Sequence, residues 1–248
     1  MDHSTQIRIV PGSRNAVLLV HGILGTPHQF DPILPAIPQD WSMINLLLDG
    51  HGKQVEDFGK SSMQKWEKQV EAVVNELCAS YENVVIAAHS MGTLFAIDAG
   101  LAHPDRIKAL LLLSPPLKIA LKPRLIRQAM QVGLGFGRLD DPDIAAARRA
   151  YSMPADRRIW KYLRWIPRYL ELFKKIHNTR KQLSMLCTPI KVFLCRRDEM
   201  VSVRTDRLFA GLTSAETLYL PSSSHFTYSE EDAQRIRRAL TGMLESIP

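Results

Sequence analysis

The feature that most constrains this chain is a short apolar run, followed by a serine and then by a different apolar pattern. Residues 84–88 are small or β-branched, which is typical of a strand buried on both faces of a parallel sheet. From Gly92 onward the spacing of the apolar residues favours a packed helix. Ser90 is therefore predicted in a sharp strand-to-helix turn, which exposes its hydroxyl at the edge of the sheet above a helix N-terminus.

A serine at this position also has an ordinary use, because serine often caps the start of a helix. The strained version of the turn needs small neighbours and follows the pattern G-x-S-x-G. Gly92 supplies the second glycine of that pattern, whereas Ala88 stands at the first. The turn alone leaves both interpretations open.

Strands and helices alternate along most of the 248 residues, of which 46% are hydrophobic and 23% are charged. This alternation predicts one α/β domain with a mostly parallel central sheet and helices on both faces. The strands are predicted at 6–10, 16–20, 42–48, 84–88, 107–113, 190–194 and 217–220.

A serine hydroxyl becomes a useful nucleophile only when a base takes its proton and an acid orients that base. Both partners are expected on loops at the carboxyl ends of later strands. Asp198 follows the strand that ends near residue 194, and His225 follows the strand that ends at 220. The chain order Ser90, Asp198, His225 is the order expected for this type of turn. We expect the neighbouring Glu199 side chain to point away from the site.

A negatively charged oxygen formed during acyl transfer needs two backbone donors. The N–H of Met91, next to the serine, is one candidate. The glycine-rich turn after the second predicted strand offers the other, and we expect the N–H of Ile23 to fill this role. The histidines His21, His51 and His89 are interpreted as structural hydrogen-bonding residues, since none has a metal-ligand spacing with acids or cysteines.

These segments, together with Asp49-Gly50-His51-Gly52, resemble the α/β-hydrolase superfamily, and within it the bacterial carboxylesterase and monoacylglycerol-lipase branch. The resemblance covers residues 15–115 and 186–248. It implies a core at 1–116 and 182–248 with a helical cap at 117–181. It also implies hydrolysis of a small-molecule carboxylic ester with a short to medium acyl chain through an acyl-serine intermediate, without a metal or a cofactor. Thioester hydrolysis, or a non-catalytic fold that serves as a ligand receptor, are the alternatives.

Residues 118–181 hold all of the excess positive charge. They contain 16 Lys and Arg against 5 Asp and Glu, a net charge of +11 in a chain whose total is +7. Within 157–175, one helical face is predicted to be apolar and the others basic, with Pro167 kinking or dividing the helix. The apolar residues are Ile159, Leu163, Ile166, Leu170 and Phe173.

Three uses of this basic segment are open. The favoured interpretation is a lid whose apolar face covers the catalytic cleft. The alternatives are peripheral contact with anionic lipid surfaces and attraction of acidic substrates or carrier proteins. Nucleic acid is not an expected partner of a hydrolase core.

The compartment is predicted from the chain start and the cysteines. Residues 1–6 lack the apolar core of a signal peptide, and no run approaches the roughly 20 apolar residues that span a bilayer. Three scattered cysteines do not form a disulfide framework. We therefore expect a cytoplasmic protein.

Overall fold

The computed structural model describes residues 3–120, 133–135 and 151–247. Its strands are β1 (Gln6–Arg8), β2 (Asn15–Val20), β3 (Ser42–Leu46), β4 (Asn83–His89), β5 (Ile107–Leu113), β6 (Ile190–Cys195) and β7 (Ala215–Leu220). They form one sheet in the order β1-β3-β2-β4-β5-β6-β7. The edge strand β1 is antiparallel to β3, and every other neighbouring pair is parallel. The predicted mostly parallel sheet is confirmed.

Helices cover both faces of this sheet. The α-helices are α1 (Val55–Lys60), α2 (Met63–Ser80), α3 (Gly92–Ala102), α4 (Ile166–Gln182), α5 (Asp206–Phe209) and α6 (Glu230–Glu245). Short 3-10 helices lie at Pro27–Phe30, Leu34–Ala36, Ile159–Trp165, Leu183–Met185 and Val203–Thr205. None of the helices in the described ranges is both long and apolar enough to cross a membrane.

The core has two layers because successive strand residues face opposite sides of the sheet. In β2, Ala16, Leu18 and Val20 pack in the layer covered by α2, α3 and α4. Val17 and Leu19 pack in the layer covered by α6 and the first two 3-10 helices. All five residues are fully buried, which explains why β2 reads as a continuous apolar run.

The chain between β5 and β6 packs against the main domain through its second half. Pro167 lies in the first turn of α4, where its missing N–H costs no helix hydrogen bond, so the segment divides into a 3-10 helix and an α-helix. Trp165 is buried and donates its Nε1–H to the Val55 carbonyl at 2.9 Å. In α4, Glu171 accepts the N–H of Met63 at the start of α2 at 2.9 Å. Helix α4 is therefore held on the layer formed by α2 and α3.

The prediction that the apolar face of this segment covers the cleft is wrong for the residues that we assigned to it. Ile159, Leu163, Ile166, Leu170 and Phe173 are between 45% and 64% exposed. A different side is buried, formed by Trp165, Leu172 and Ile176. The boundaries of the cap at 117 and 181 stay a prediction, because residues 121–132 and 136–150 lie outside the described part of the chain.

Candidate active site

Ser90 occupies a strained turn between β4 and α3. Its φ angle is +49°, in the left-handed region that side chains other than glycine rarely adopt. The conformation is held by three hydrogen bonds: the Ser90 N–H donates to Leu113 O at 2.9 Å, and the Thr93 N–H and Oγ1–H donate to Ser90 O at 3.0 and 2.6 Å. Such strain persists only where the surroundings over-determine it, and it concentrates at functional sites.

Two glycines make room for this turn. A Cβ atom on Gly92 would lie 2.1 Å from the carbonyl oxygen of Val20, and one on Gly22 would lie 2.8 Å from Ser90 Cβ. The loop after β2 therefore runs directly against Ser90. Ala88, which stands where the pattern has its first glycine, is fully buried in β4 and packs in the core layer on the α3 side.

His225 and Asp198 complete a chain of hydrogen bonds that starts at Ser90. His225 Nε2 lies 3.0 Å from Ser90 Oγ, and His225 Nδ1 lies 2.9 Å from Asp198 Oδ2. The other carboxylate oxygen, Oδ1, accepts the N–H groups of Met200 at 2.8 Å and Val201 at 2.7 Å. The structure thus brings together three residues that are 135 and 27 positions apart in the sequence.

The charges around Asp198 and His225 determine the protonation state of each side chain. Burial opposes ionisation of Asp198, but His225 and the two backbone N–H groups outweigh it and lower the pKa of Asp198. Burial likewise opposes a charged His225, but the Asp198 carboxylate, with a contribution from Glu199, raises the pKa of His225 above its usual 6.5. Ionised Asp198 accepts a hydrogen bond from the Nδ1–H of neutral His225, which leaves Nε2 as the acceptor for the Ser90 hydroxyl.

The prediction that the Glu199 side chain points away from the site is wrong. Its Oε2 accepts the backbone N–H of His225 at 3.1 Å. A turn at Asp198 brings both consecutive carboxylates toward the His225 loop, which strand alternation does not anticipate. No sequence signal could have found this contact.

Asp232, a second residue that the sequence analysis missed, anchors the other side of the His225 loop. It is buried in the first turn of α6, where its Oδ2 accepts Ser222 N–H at 2.9 Å and Ser223 Oγ–H at 2.7 Å. The helix begins with Ser229, whose Oγ accepts the Asp232 N–H at 3.3 Å. That Ser-x-x-Asp capping pattern is readable in the sequence and could have indicated the anchor.

Two buried histidines clasp the loop after β2 to the loop after β3. His21 Nε2 accepts the Leu48 N–H at 3.1 Å, and His51 Nε2 accepts the Leu24 N–H at 3.1 Å. Their rings meet edge to face with centroids 4.9 Å apart. Burial lowers the pKa of His51 to about 4 and the pKa of His21 well below 6.5, so both stay neutral acceptors at pH 7. We name this pair the histidine clasp.

His89 holds the backbone of His225 through a hydrogen bond. Its Nε2–H donates to His225 O at 3.1 Å, and burial, together with repulsion from His225, lowers the pKa of His89 to about 3. His89 is therefore a neutral donor, as expected for a structural residue.

The two expected oxyanion donors lie on the segments that meet at Ser90. Met91 follows the serine as the first residue before α3, and Ile23 follows Gly22. Neither backbone N–H donates to an acceptor within residues 3–120, 133–135 and 151–247. Over the same residues, no three His, Cys, Asp or Glu side chains are grouped so as to hold a metal ion.

A family model described as serine aminopeptidase, S33, matches residues 11–232, which include all of these site residues. The chain belongs to this family. Membership of the S33 family makes the protein a hydrolase, and its structural neighbours confirm the α/β-hydrolase fold. The family description names one activity, whereas the relatives and neighbours of this chain have several.

Among curated relatives, the chain is 25% identical over 210 residues to a thermostable monoacylglycerol lipase of Bacillus sp. (strain H-257), covering 81% of this chain and 77% of that protein. It is 26% identical over 113 residues to a pimeloyl-[acyl-carrier protein] methyl ester esterase of Neisseria meningitidis, covering 45% and 41%. The relatives that this S33-family chain matches therefore act on esters.

Among solved structures, a lipolytic enzyme from the work on metagenome-derived LipS and LipT superposes with a TM-score of 0.74 at 19% identity, covering 98% of both chains. A monoacylglycerol lipase of Paleococcus ferrophilus gives 0.68 at 18% identity, covering 98% and 100%. A putative ancestral haloalkane dehalogenase gives 0.69 at 17% identity, covering 100% and 97%. Since one fold carries different reactions, these similarities show the fold and not the substrate.

Proposed function

We propose that this protein is a serine hydrolase that cleaves carboxylic esters with short to medium acyl chains, monoacylglycerols included, through an acyl-serine intermediate. The observation that carries the proposal is the buried hydrogen-bonded chain from Ser90 Oγ through His225 to Asp198, with distances of 3.0 and 2.9 Å. This is the geometry that nucleophilic catalysis by serine requires.

In the acylation step, Ser90 Oγ attacks the ester carbonyl carbon while His225 Nε2 takes the hydroxyl proton. The carbonyl oxygen becomes an oxyanion, which the N–H groups of Met91 and Ile23 would stabilise. His225 then gives the proton to the leaving alkoxide, the C–O bond breaks, and the alcohol departs. Asp198 keeps the Nδ1–H in place and stabilises the imidazolium while it exists.

In the deacylation step, water is the nucleophile and Ser90 Oγ is the leaving group. His225 Nε2 takes a proton from the water, the resulting hydroxide attacks the acyl carbonyl, and His225 returns the proton to Ser90 Oγ. The products are the free acid and the regenerated enzyme. One base thus serves both half-reactions, so His225 must be neutral at the start of each of them.

The preference for esters rests on the curated relatives, whose names describe monoacylglycerol and methyl ester cleavage. A thioester would use the same machinery with a different leaving group. We also propose a cytoplasmic location, based on the odd number and scattered positions of Cys78, Cys187 and Cys195.

A substrate screen tests the proposal. Hydrolysis is measured for p-nitrophenyl esters of graded chain length, monoacylglycerols, acyl-CoA and amino-acid p-nitroanilides. We expect turnover of short and medium esters and monoacylglycerols. Turnover confined to acyl-CoA would support the thioesterase, and turnover confined to the anilides would support a peptidase.

Stoichiometric labelling by a fluorophosphonate separates catalysis from mere ligand binding. We expect Ser90→Ala to abolish labelling. Ser114→Ala is a matched control, because Ser114 is also buried, also ends a strand and also has a positive φ of 48°, yet its hydroxyl donates to Cys195 Sγ instead of to a base. Equal labelling of the two variants would reject Ser90 as the nucleophile.

A further inference from the structure

The outer side of the 3-10 helix Ile159–Trp165 and of α4 presents a row of exposed apolar side chains to solvent. Of the ten large hydrophobic side chains that are exposed in the described part of the chain, six fall between residues 159 and 173. They are Ile159, Trp160, Leu163, Ile166, Leu170 and Phe173, which we call the outer stripe. Scattered exposed hydrophobics are normal, but such a cluster marks an interaction site.

The outer stripe follows from the helical geometry. Residues 160, 163 and 166 are three apart, which aligns them on a 3-10 helix, and residues 166, 170 and 173 are four and three apart, which aligns them on α4. From residue 160 to 173 the stripe is roughly 20 Å long, from the rise per residue of the two helix types. Another side of α4 already packs in the core, so the stripe is a second apolar side.

The cations of this segment divide into two groups. On the inner flanks they are neutralised: Lys161 pairs with Glu56 and Asp156, and Lys175 pairs with Glu67 and Asp98. On the outer side, four exposed cations have no ion-pair partner among the described residues. They are Arg164, Lys174, Arg180 and Lys181.

We propose that the outer stripe and these four cations dock the protein on an anionic lipid surface. A helix whose outer side combines Trp, Phe and Leu with unpaired Lys and Arg has the composition of helices that lie in a membrane interface. The apolar side chains would enter the acyl boundary while the cations remain at the anionic headgroups. A soluble acidic protein would use the cations but would not require a 20-Å row of large apolar side chains, so lipid is the better match.

Tryptophan fluorescence offers a selective test. The protein has four tryptophans, and Trp41, Trp66 and Trp165 are at most 5% exposed, whereas Trp160 is 63% exposed. The Ser90→Ala protein is mixed with vesicles of phosphatidylcholine containing 30% phosphatidylglycerol, so binding is measured without turnover. We expect a blue shift and quenching by brominated lipids, both of which Trp160→Phe should remove.

Two variants separate the apolar and the electrostatic contributions. Leu163→Glu with Leu170→Glu should weaken partitioning at least about tenfold, since two exposed leucines that would enter the bilayer are lost. Its matched control is Ile9→Glu, at a similarly exposed position outside the segment, which should bind normally. Replacing the four cations by Gln should weaken partitioning roughly fivefold for each charge at low salt, with a small effect on neutral vesicles.

Several results would overturn the proposal. The first is the absence of binding to anionic vesicles, or binding that Ile9→Glu weakens as much as the leucine pair does. A Trp160 that acrylamide cannot quench in the free protein would show that other residues of this chain cover the stripe. Concentration-dependent dimerisation that Leu170→Glu abolishes would assign the stripe to a second copy, and capture of a soluble acidic protein that survives the leucine variant would assign the cations to that partner. All of these readouts are independent of ester hydrolysis.

Discussion

Replacing Gly92 by alanine should damage the site from a position that takes no part in the chemistry. The new Cβ would lie 2.1 Å from Val20 O and 2.8 Å from His21 O, whereas ordinary contacts begin at 3.4 Å. The first gap must therefore widen by about 1.3 Å, the difference between 3.4 and 2.1 Å. Both oxygens belong to backbone, so no flexible side chain can give way, and β2 and the start of α3 must separate.

This separation should lower both the stability of the protein and its kcat. Overpacking of this kind costs about 1–3 kcal/mol or more, which lowers Tm by roughly 2–12 °C for a chain of this size. The same movement shifts Ser90 relative to Ile23, and a misplacement of about 1 Å can reduce kcat on the order of 100-fold. We expect both effects in thermal unfolding and in p-nitrophenyl butyrate hydrolysis.

The control is the same substitution at Gly242, which is exposed in α6 and has no atom within 4 Å of an added Cβ. There alanine should stabilise the helix by about 0.5–1 kcal/mol and leave kcat unchanged. If Gly92→Ala keeps the kcat and the Tm of the wild type, the close approach of β2 to the serine turn is not what shapes this site.

Three further substitutions probe the residues around His225. Asp198→Asn should keep its circular dichroism spectrum but lose about 10⁴ in kcat because the amide favours the wrong imidazole tautomer; full activity would shift the acid role to Glu199. Glu199→Gln should move the acid limb of kcat/KM to lower pH, since one of the charges that raise the pKa of His225 is gone, and an unmoved limb in the pH profile would contradict this. Asp232→Ala should lower the free energy of unfolding in urea by about 1–3 kcal/mol, because the buried donors of the Ser223 loop lose their acceptor. It should also slow the labelling of Ser90, and an unchanged urea midpoint would show that Asp232 does not anchor the loop.

Much of the sheet and the positions of Ser90, Asp198 and His225 could be predicted from the sequence. Strands buried on both faces are apolar throughout, and the residues that follow them fall at one edge of a parallel sheet. The roles of these residues and of the N–H groups of Ile23 and Met91 stay predictions, although the structure brings the side chains within hydrogen-bonding distance.

The outer stripe shows why the rest could not be predicted. Helix α4 has apolar residues at helical spacing on two different sides, one including Leu172 and Ile176 and the other including Leu170 and Phe173. Periodicity identifies each side as a possible inner face, but it contains no information on which of them meets α2 and α3. Only the packing partner decides, and we chose the wrong side. The contact of Glu199 with the His225 N–H could not be predicted either, because loop residues have no periodicity that indicates where their side chains point.

The histidine clasp and His225 predict two acid limits for this protein that differ in kind. The pKa of His51 is about 4 in the folded protein and near 6.5 when unfolded, so the unfolded chain takes up a proton first and stability falls as pH drops from 6.5 toward 4. At pH 5 this amounts to about 2 kcal/mol for His51 alone, which urea unfolding at pH 7 and pH 5 would register. Under the proposed mechanism, protonation of His225 should stop turnover at a higher pH without disturbing the fold, and neutralising the solution should restore it. Damage through the clasp comes later and opens the loops that carry Ile23 and Leu48, so recovery from it must wait for the chain to refold.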